Sequence, residues 1–83
     1  MELKGIRLSH GAVFVTDGLF TVRHLPSGEC GPSPISYGVL EHDLATEPPD
    51  RWDYLTEGEI LSLPEGEKIL AAFRSLRDLF EIK

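Results

Sequence analysis

The sequence predicts an α+β fold, a small antiparallel β-meander of three to four strands packed against a C-terminal amphipathic helix. Three observations predict it. Apolar residues alternate through the first 25 positions, Asp17-Gly18 marks a tight hairpin within that stretch, and the last 16 residues carry an apolar stripe at helical spacing. The chain has 83 residues, a length that makes one domain over 1–83. Residues 1–42 should form the meander, 43–55 an acidic, aromatic-bearing loop, and 56–83 a short helix followed by a longer one.

Asp-Gly suits a two-residue type I′ turn. Folding the chain there sets Val15 opposite Phe20, Phe14 opposite Thr21 and Val13 opposite Val22. Directly opposed residues share a face, so Val13, Val15, Phe20 and Val22 line one side, with Phe14 and Thr21 on the other. A second turn at His10-Gly11 sets Leu8 opposite Val13 and Ile6 opposite Val15, which adds both to the same face. Pro26-Ser27-Gly28 ends the third strand, and Gly31, Pro32 and Pro34 keep the chain irregular up to Ile35. Ile35, Tyr37 and Val39 alternate with Ser36 and Gly38, the pattern of a fourth strand ending near His42. From Asp43 to Tyr54 the composition is that of a loop, with Pro48-Pro49 forbidding helix at its centre.

Thr56 followed by Glu59 has capping-box spacing and starts a short helix. Pro64 opens the next one, since a first helical turn has no use for the missing N–H. On that helix Ile69, Phe73, Leu76 and Phe80 form one stripe, widened by Leu70, Ala72 and Leu79. Lys68, Ser75 and Asp78 take the far side. The stripe should lie across the apolar face of the sheet and close a two-layer core.

Charge is unevenly placed. Nine of the fourteen carboxylates fall between Glu41 and Glu67, where Arg51 is the only base, although the whole chain is only −6. Such a block repels phosphate and membrane surfaces and attracts basic partners. Four of the nine, Glu57, Glu59, Glu65 and Glu67, suit first helical turns, where the helix dipole favours a carboxylate. Glu41, Asp43, Glu47, Asp50 and Asp53 have no such local reason.

Within the block, Pro48 to Leu55 holds the residue types most enriched at binding hot spots, Trp, Tyr and Arg. The candidate partner-binding residues are therefore Glu47, Asp50, Arg51, Trp52 and Asp53. Trp52 has a second role open to it, as a lid over one end of a small core. Tyr54 and Leu55, beside the short helix, read as core.

Other chemistries find little purchase. His24, Cys30 and His42, with His10 as a fourth, lack the paired short spacings of a zinc site, so no metal is expected. Cys30 sits beside Glu29, whose charge would raise its pKa, and it lacks the helix N-terminus that activates a nucleophile. No Gly-rich loop joins a strand to a helix for phosphate binding, and a domain this small has little room for a substrate pocket. Neither catalysis nor a cofactor is expected. Lys4, Arg7 and Arg23 are the only bases on the predicted sheet, too few for direct nucleic-acid binding. No apolar run reaches bilayer length, the N-terminus lacks a signal-peptide layout, and the single cysteine suits a reducing compartment. These features lead to the expectation of a cytoplasmic protein without membrane association.

Two functions fit. The first is a non-catalytic protein-binding module, an adaptor or inhibitor, contacting a protein with a basic surface through residues 41–59. The alternative is a nucleic-acid-mimicking inhibitor of a DNA- or RNA-binding protein, of the kind viruses encode.

Overall fold

A computed structural model describes residues 2–47 and 51–81. The elements are β1 (Lys4–Leu8), β2 (Val13–Thr16), β3 (Thr21–His24), β4 (Cys30–Pro32), α1 (Tyr37–Leu44), β5 (Trp52–Leu55), α2 (Glu57–Leu61) and α3 (Gly66–Glu81). The strands form one antiparallel sheet in the order β4-β3-β2-β1-β5. The fold is α+β, and the meander and the C-terminal helix on the sheet are both present.

The first hairpin departs from the expected register. Gly5 lies opposite Val15 and Ile6 opposite Phe14, one residue away from the pairing that a two-residue turn would set. The turn has three residues, Ser9 to Gly11. Leu8 N–H donates to the Ala12 carbonyl at 2.8 Å, Gly11 N–H donates to the Leu8 carbonyl at 2.9 Å, and Gly11 takes φ +104°. A three-residue loop of this kind needs a left-handed residue at its third position, which glycine supplies without steric penalty. The odd count turns β1 over relative to β2. Ile6 and Leu8 therefore join Phe14 on one face, not Val13 and Val15 on the other.

In the second hairpin the error is two residues and the faces survive. Val15 lies opposite Val22, and Thr16 opposite Thr21. Among the described residues no side-chain-bearing residue has positive φ, so Asp17 cannot occupy the first central position of a type I′ turn. It opens a four-residue loop instead. Its Oδ1 accepts the N–H groups of Leu19 (2.9 Å) and Phe20 (2.8 Å), and the Thr16 hydroxyl donates to the Phe20 carbonyl at 2.7 Å.

Both faces of the sheet are consequently apolar, and every residue of β2 is buried. One face carries Leu3, Val13, Val15, Val22 and Leu55, covered by Ile60 of α2 and by Ile69, Phe73 and Leu76 of α3. The other carries Ile6, Ala12 and Phe14, covered by Leu40 of α1 with Tyr37 and Leu44 at its margin. Three layers replace the expected two. Phe14, expected on an open face, is only 7% exposed.

The expected fourth strand through Ile35–His42 is helix α1. Ser36 caps it by accepting Val39 N–H at 3.3 Å, and the Thr21 hydroxyl accepts Tyr37 N–H at 3.1 Å. Tyr37, Leu40 and Leu44 recur at three and four residues, so a helical stripe ran beneath the alternating pattern. Ile35 and Val39, which carried the strand reading, are exposed. The irregular stretch after Gly28 contains β4, and the expected loop at 43–55 contains β5.

The short helix starts as expected. Thr56 and Glu59 close a capping box, with Thr56 N–H donating to Glu59 Oε1 at 2.9 Å. Glu57 Oε2 also accepts Leu3 N–H at 3.0 Å, which ties α2 to the head of the chain. The ordered helix α3 begins at Gly66, two residues after Pro64. Its stripe is buried through Ile69, Phe73 and Leu76, but Phe80 is 67% exposed. Phe80 leans on Phe20, ring centroids 5.0 Å apart, at an open groove it shares with Thr21 and Pro32.

One ion pair joins α3 to the hairpin tip. Arg77 Nη2 lies 3.2 Å from Asp17 Oδ2, and the Asp17 side chain is 1% exposed. Burial pushes this carboxyl up, but the N–H groups of Phe20 and Leu19, and then Arg77, outweigh it and hold it below 3.8. A depressed carboxyl stabilises the fold above its unfolded pKa, and the contribution is lost as pH falls through the folded value. Asp17→Asn keeps the turn-forming oxygen and removes the titration. Acid unfolding should therefore be shallower in the variant than in wild type as pH falls below about 4. Parallel curves by circular dichroism would mean that Asp17 contributes no charge-dependent stability.

Two substitutions test the core. Phe73→Ala should destabilise the domain by about 3–5 kcal/mol in urea melts. A Cβ on Gly5 would stand 3.0 Å from Ile60 Cδ1 and 3.2 Å from Leu55 Cβ, within a fully buried contact. Gly5→Val should cost about 1–3 kcal/mol. A Gly5→Val protein as stable as wild type would mean that α2 does not rest on β1 at this distance.

Candidate binding site at the β5 edge

Residues Trp52 to Leu55 form an edge strand, paired among the described residues only with β1, in the register Leu8–Trp52, Arg7–Asp53, Ile6–Tyr54 and Gly5–Leu55. Strand alternation sends Trp52 and Tyr54 to the α1 face and Asp53 and Leu55 to the α2–α3 face. Leu55 is 5% exposed and belongs to the larger core, as expected.

Trp52 is half-buried against the core beneath α1. The lid role is thus real, and its indole N–H is buried without a hydrogen-bond partner among the described residues. Tyr54 departs from its core assignment, being 55% exposed. Its ring meets that of Trp52 edge to face, centroids 4.9 Å apart, and its hydroxyl donates to Glu41 Oε2 at 2.7 Å. That hydrogen bond to a carboxylate favours the neutral phenol and raises the pKa of Tyr54. On α1, burial pushes Tyr37 up to about 12, with Glu41 and Tyr54 adding to the effect.

The other expected contact residues are spread around this centre. Asp53 is exposed, opposite Arg7. Arg51 is exposed at the start of the strand, its carbonyl accepting Ser9 N–H at 2.8 Å. Glu47 is exposed just past α1, and Asp50 lies outside the described residues. The strand therefore groups Arg51, Trp52 and Asp53, and adds Tyr54 and Glu41, which sequence reasoning left out of the site. The missed signal was Trp-x-Tyr itself, two aromatics at the spacing of one strand face.

The acidic block does not act as a unit. Glu57 and Glu59 hold backbone N–H groups and Glu41 holds Tyr54, while Asp43, Glu47 and Asp53 are exposed and remain to face solvent. Glu41 also borders an open groove of about 430 Å³ whose walls include Glu2, Lys4, Asp17, Tyr37 and Gly38.

His24 and Cys30 turn out to be direct cross-strand partners. No three His, Cys, Asp or Glu side chains converge as a metal site among the described residues. Burial raises the pKa of the Cys30 thiol, and the Lys68 ammonium only partly offsets it. No described helix is long and apolar enough to cross a membrane. No protein-family model, curated protein or solved structure matches the chain.

Glu41→Gln tests the geometry of the cluster. Removing the carboxylate should lower the titration midpoints of Tyr54 and Tyr37, the only two tyrosines, in an ultraviolet titration of the phenolate. Unchanged midpoints would separate α1 from β5.

Proposed function

We propose that the protein is a non-catalytic protein-binding module, an adaptor or inhibitor, that contacts a protein with a basic surface through residues 41–59. One observation carries the reading. An edge strand presents an exposed tyrosine and a half-buried tryptophan between carboxylates of α1 and its own Asp53. Large aromatics held rigid by packing, with charge around them, are what binding hot spots are made of. The groove beside α1 is open and mixed in charge, which suits contact better than enclosure of a substrate. A cytoplasmic setting accords with the lone, half-buried cysteine.

The nucleic-acid-mimic alternative draws on the same charge but needs it as a continuous surface. Three of the carboxylates are committed to hydrogen bonds within the fold, which favours the anchored interface over the decoy.

The test starts from the partner recovered from the source cell on tagged wild-type protein. Reversing Glu47→Lys, Asp50→Lys and Asp53→Lys together should leave melting nearly unchanged and weaken binding, mainly through slower association. Trp52→Ala should cost about 2 kcal/mol or more of binding at an anchored interface, once the variant is shown to fold. A decoy would lose affinity steeply with added salt and little with Trp52→Ala. A triple variant that folds and holds its partner as tightly as wild type would overturn the acidic contact surface.

A further inference from the structure

The two edges of the sheet are finished differently. Facing residues in an antiparallel ladder alternate between pairs that exchange both backbone hydrogen bonds and pairs that exchange none. Ser9 N–H bonds the carbonyl of Arg51, one ladder step of two residues beyond the Arg7–Asp53 pair. Arg51, Asp53 and Leu55 therefore turn their backbone groups toward β1. The N–H and C=O groups of Trp52 and Tyr54 point the other way, toward the open side.

The far edge can be phased the same way. Leu25 N–H donates to the Glu29 carbonyl and Ser33 N–H to the Thr21 carbonyl, at 2.8 and 2.9 Å. The outward residues of β4 are then Cys30 and Pro32. Pro32 has no N–H to offer, and the strand is three residues long, so this edge is blunted against further pairing. Strand β5 contains no proline, glycine or lysine. Its usable edge ends at Thr56, whose N–H is already taken by Glu59.

The geometry points to β5 as a docking edge for an extended, basic segment of the partner, which would add a sixth strand to the sheet. This specifies how the contact surface proposed above is used and rests on that reading. Backbone pairing would supply affinity and alternate side chains the selectivity, as in other strand-addition complexes. Charge selects the occupant. Side chains of an added strand alternate between faces. On the α1 face they would pass Glu41, with Lys4 across the groove, and on the other Asp53 with Glu59 beyond it, beside the bases Arg7 and Arg51. A lysine- or arginine-bearing strand can pair with Glu41 on one face and with Asp53 on the other, whereas an acidic one would face Glu41 and the chain's net charge of −6.

The test uses the whole protein and an end-blocked peptide of alternating lysine and valine, with a glutamate–valine peptide as control. Saturation with the basic peptide should slow amide hydrogen exchange at Trp52 and Tyr54 by at least about tenfold and leave Asp53 and Leu55, already bonded to β1, unchanged. Tyr54→Ala and Tyr54→Pro both lose the ring, but only proline loses the outward N–H. Proline should therefore bind the peptide about five- to tenfold more weakly than alanine. Peptide binding without protection of Trp52 and Tyr54 would overturn strand addition yet leave the acidic contact surface standing. Failure to bind, or equal binding of the glutamate peptide, would overturn the basic occupant. Protection that grows with the concentration of the protein alone would assign the edge to a second copy and overturn the inference as stated.

Discussion

Three residues, Ser9 to Gly11, join β1 to β2, and their odd number decides where every side chain of β1 points. With an even loop, Ile6 and Leu8 would have lain beside Val13 and Val15, and one layer of helix would have been enough. The odd loop carries Ile6 across to Phe14 and leaves Gly5 beside Val15. Two apolar faces then need two covers, α1 on one and α2 with α3 on the other. Glycine at position 5 is what lets Ile60 come down onto β1, with 3.0 Å left for a Cβ that is not there. A sheet this short could not otherwise bury both of its sides.

Two ties between elements are made by different means. At the β2–β3 tip, Asp17 gathers two backbone N–H groups and Arg77 around an almost fully enclosed carboxylate. At the β5 end the tie between α1 and the sheet is an exposed one, the Tyr54 hydroxyl on Glu41. Water competes for an exposed hydrogen bond of that sort far more than for one enclosed by the fold. The more lightly held end is also the one that carries the aromatic pair and the solvent-facing carboxylates.

Features set by spacing within one element were legible in the chain. Ile69, Phe73 and Leu76 recur as a helix requires, Thr56 and Glu59 stand at capping-box distance, and the three strands of the meander follow from alternation. What escaped depended on relations between elements. Whether His10-Gly11 turns in two residues or three is a matter of backbone angles that neither residue announces. A run such as Ala12-Val13-Phe14-Val15, apolar at consecutive positions, was the available sign that β2 is buried on both faces. Tyr37 belongs to the strand-like series Ile35-Tyr37-Val39 and to the helical series Tyr37-Leu40-Leu44, and Ser36 as a cap favours the second. Phe80 continues the stripe of α3 near the helix end but stays exposed, so periodicity placed it correctly and burial did not follow. At the candidate site, Arg51, Trp52 and Asp53 fall together because they are neighbours in the chain. Glu41 reaches Tyr54 only through the packing of α1, which no local pattern encodes.

The position of β5 beside β1 also has a consequence in time. The meander hairpins close over three or four residues, whereas Leu55 comes fifty residues after its partner Gly5. Loop-closure entropy makes the longer contact dearer by about 2 kcal/mol, so the first strand waits for one of the last. Until β5 arrives, the outer edge of β1 is the sheet's unpaired border. Its backbone groups stay open while the core beside Gly5 lacks Ile60 of α2. Completion of the fold moves that border outward by one strand, from a segment carrying Lys4 and Arg7 to one that carries Asp53 and lies beside Glu41.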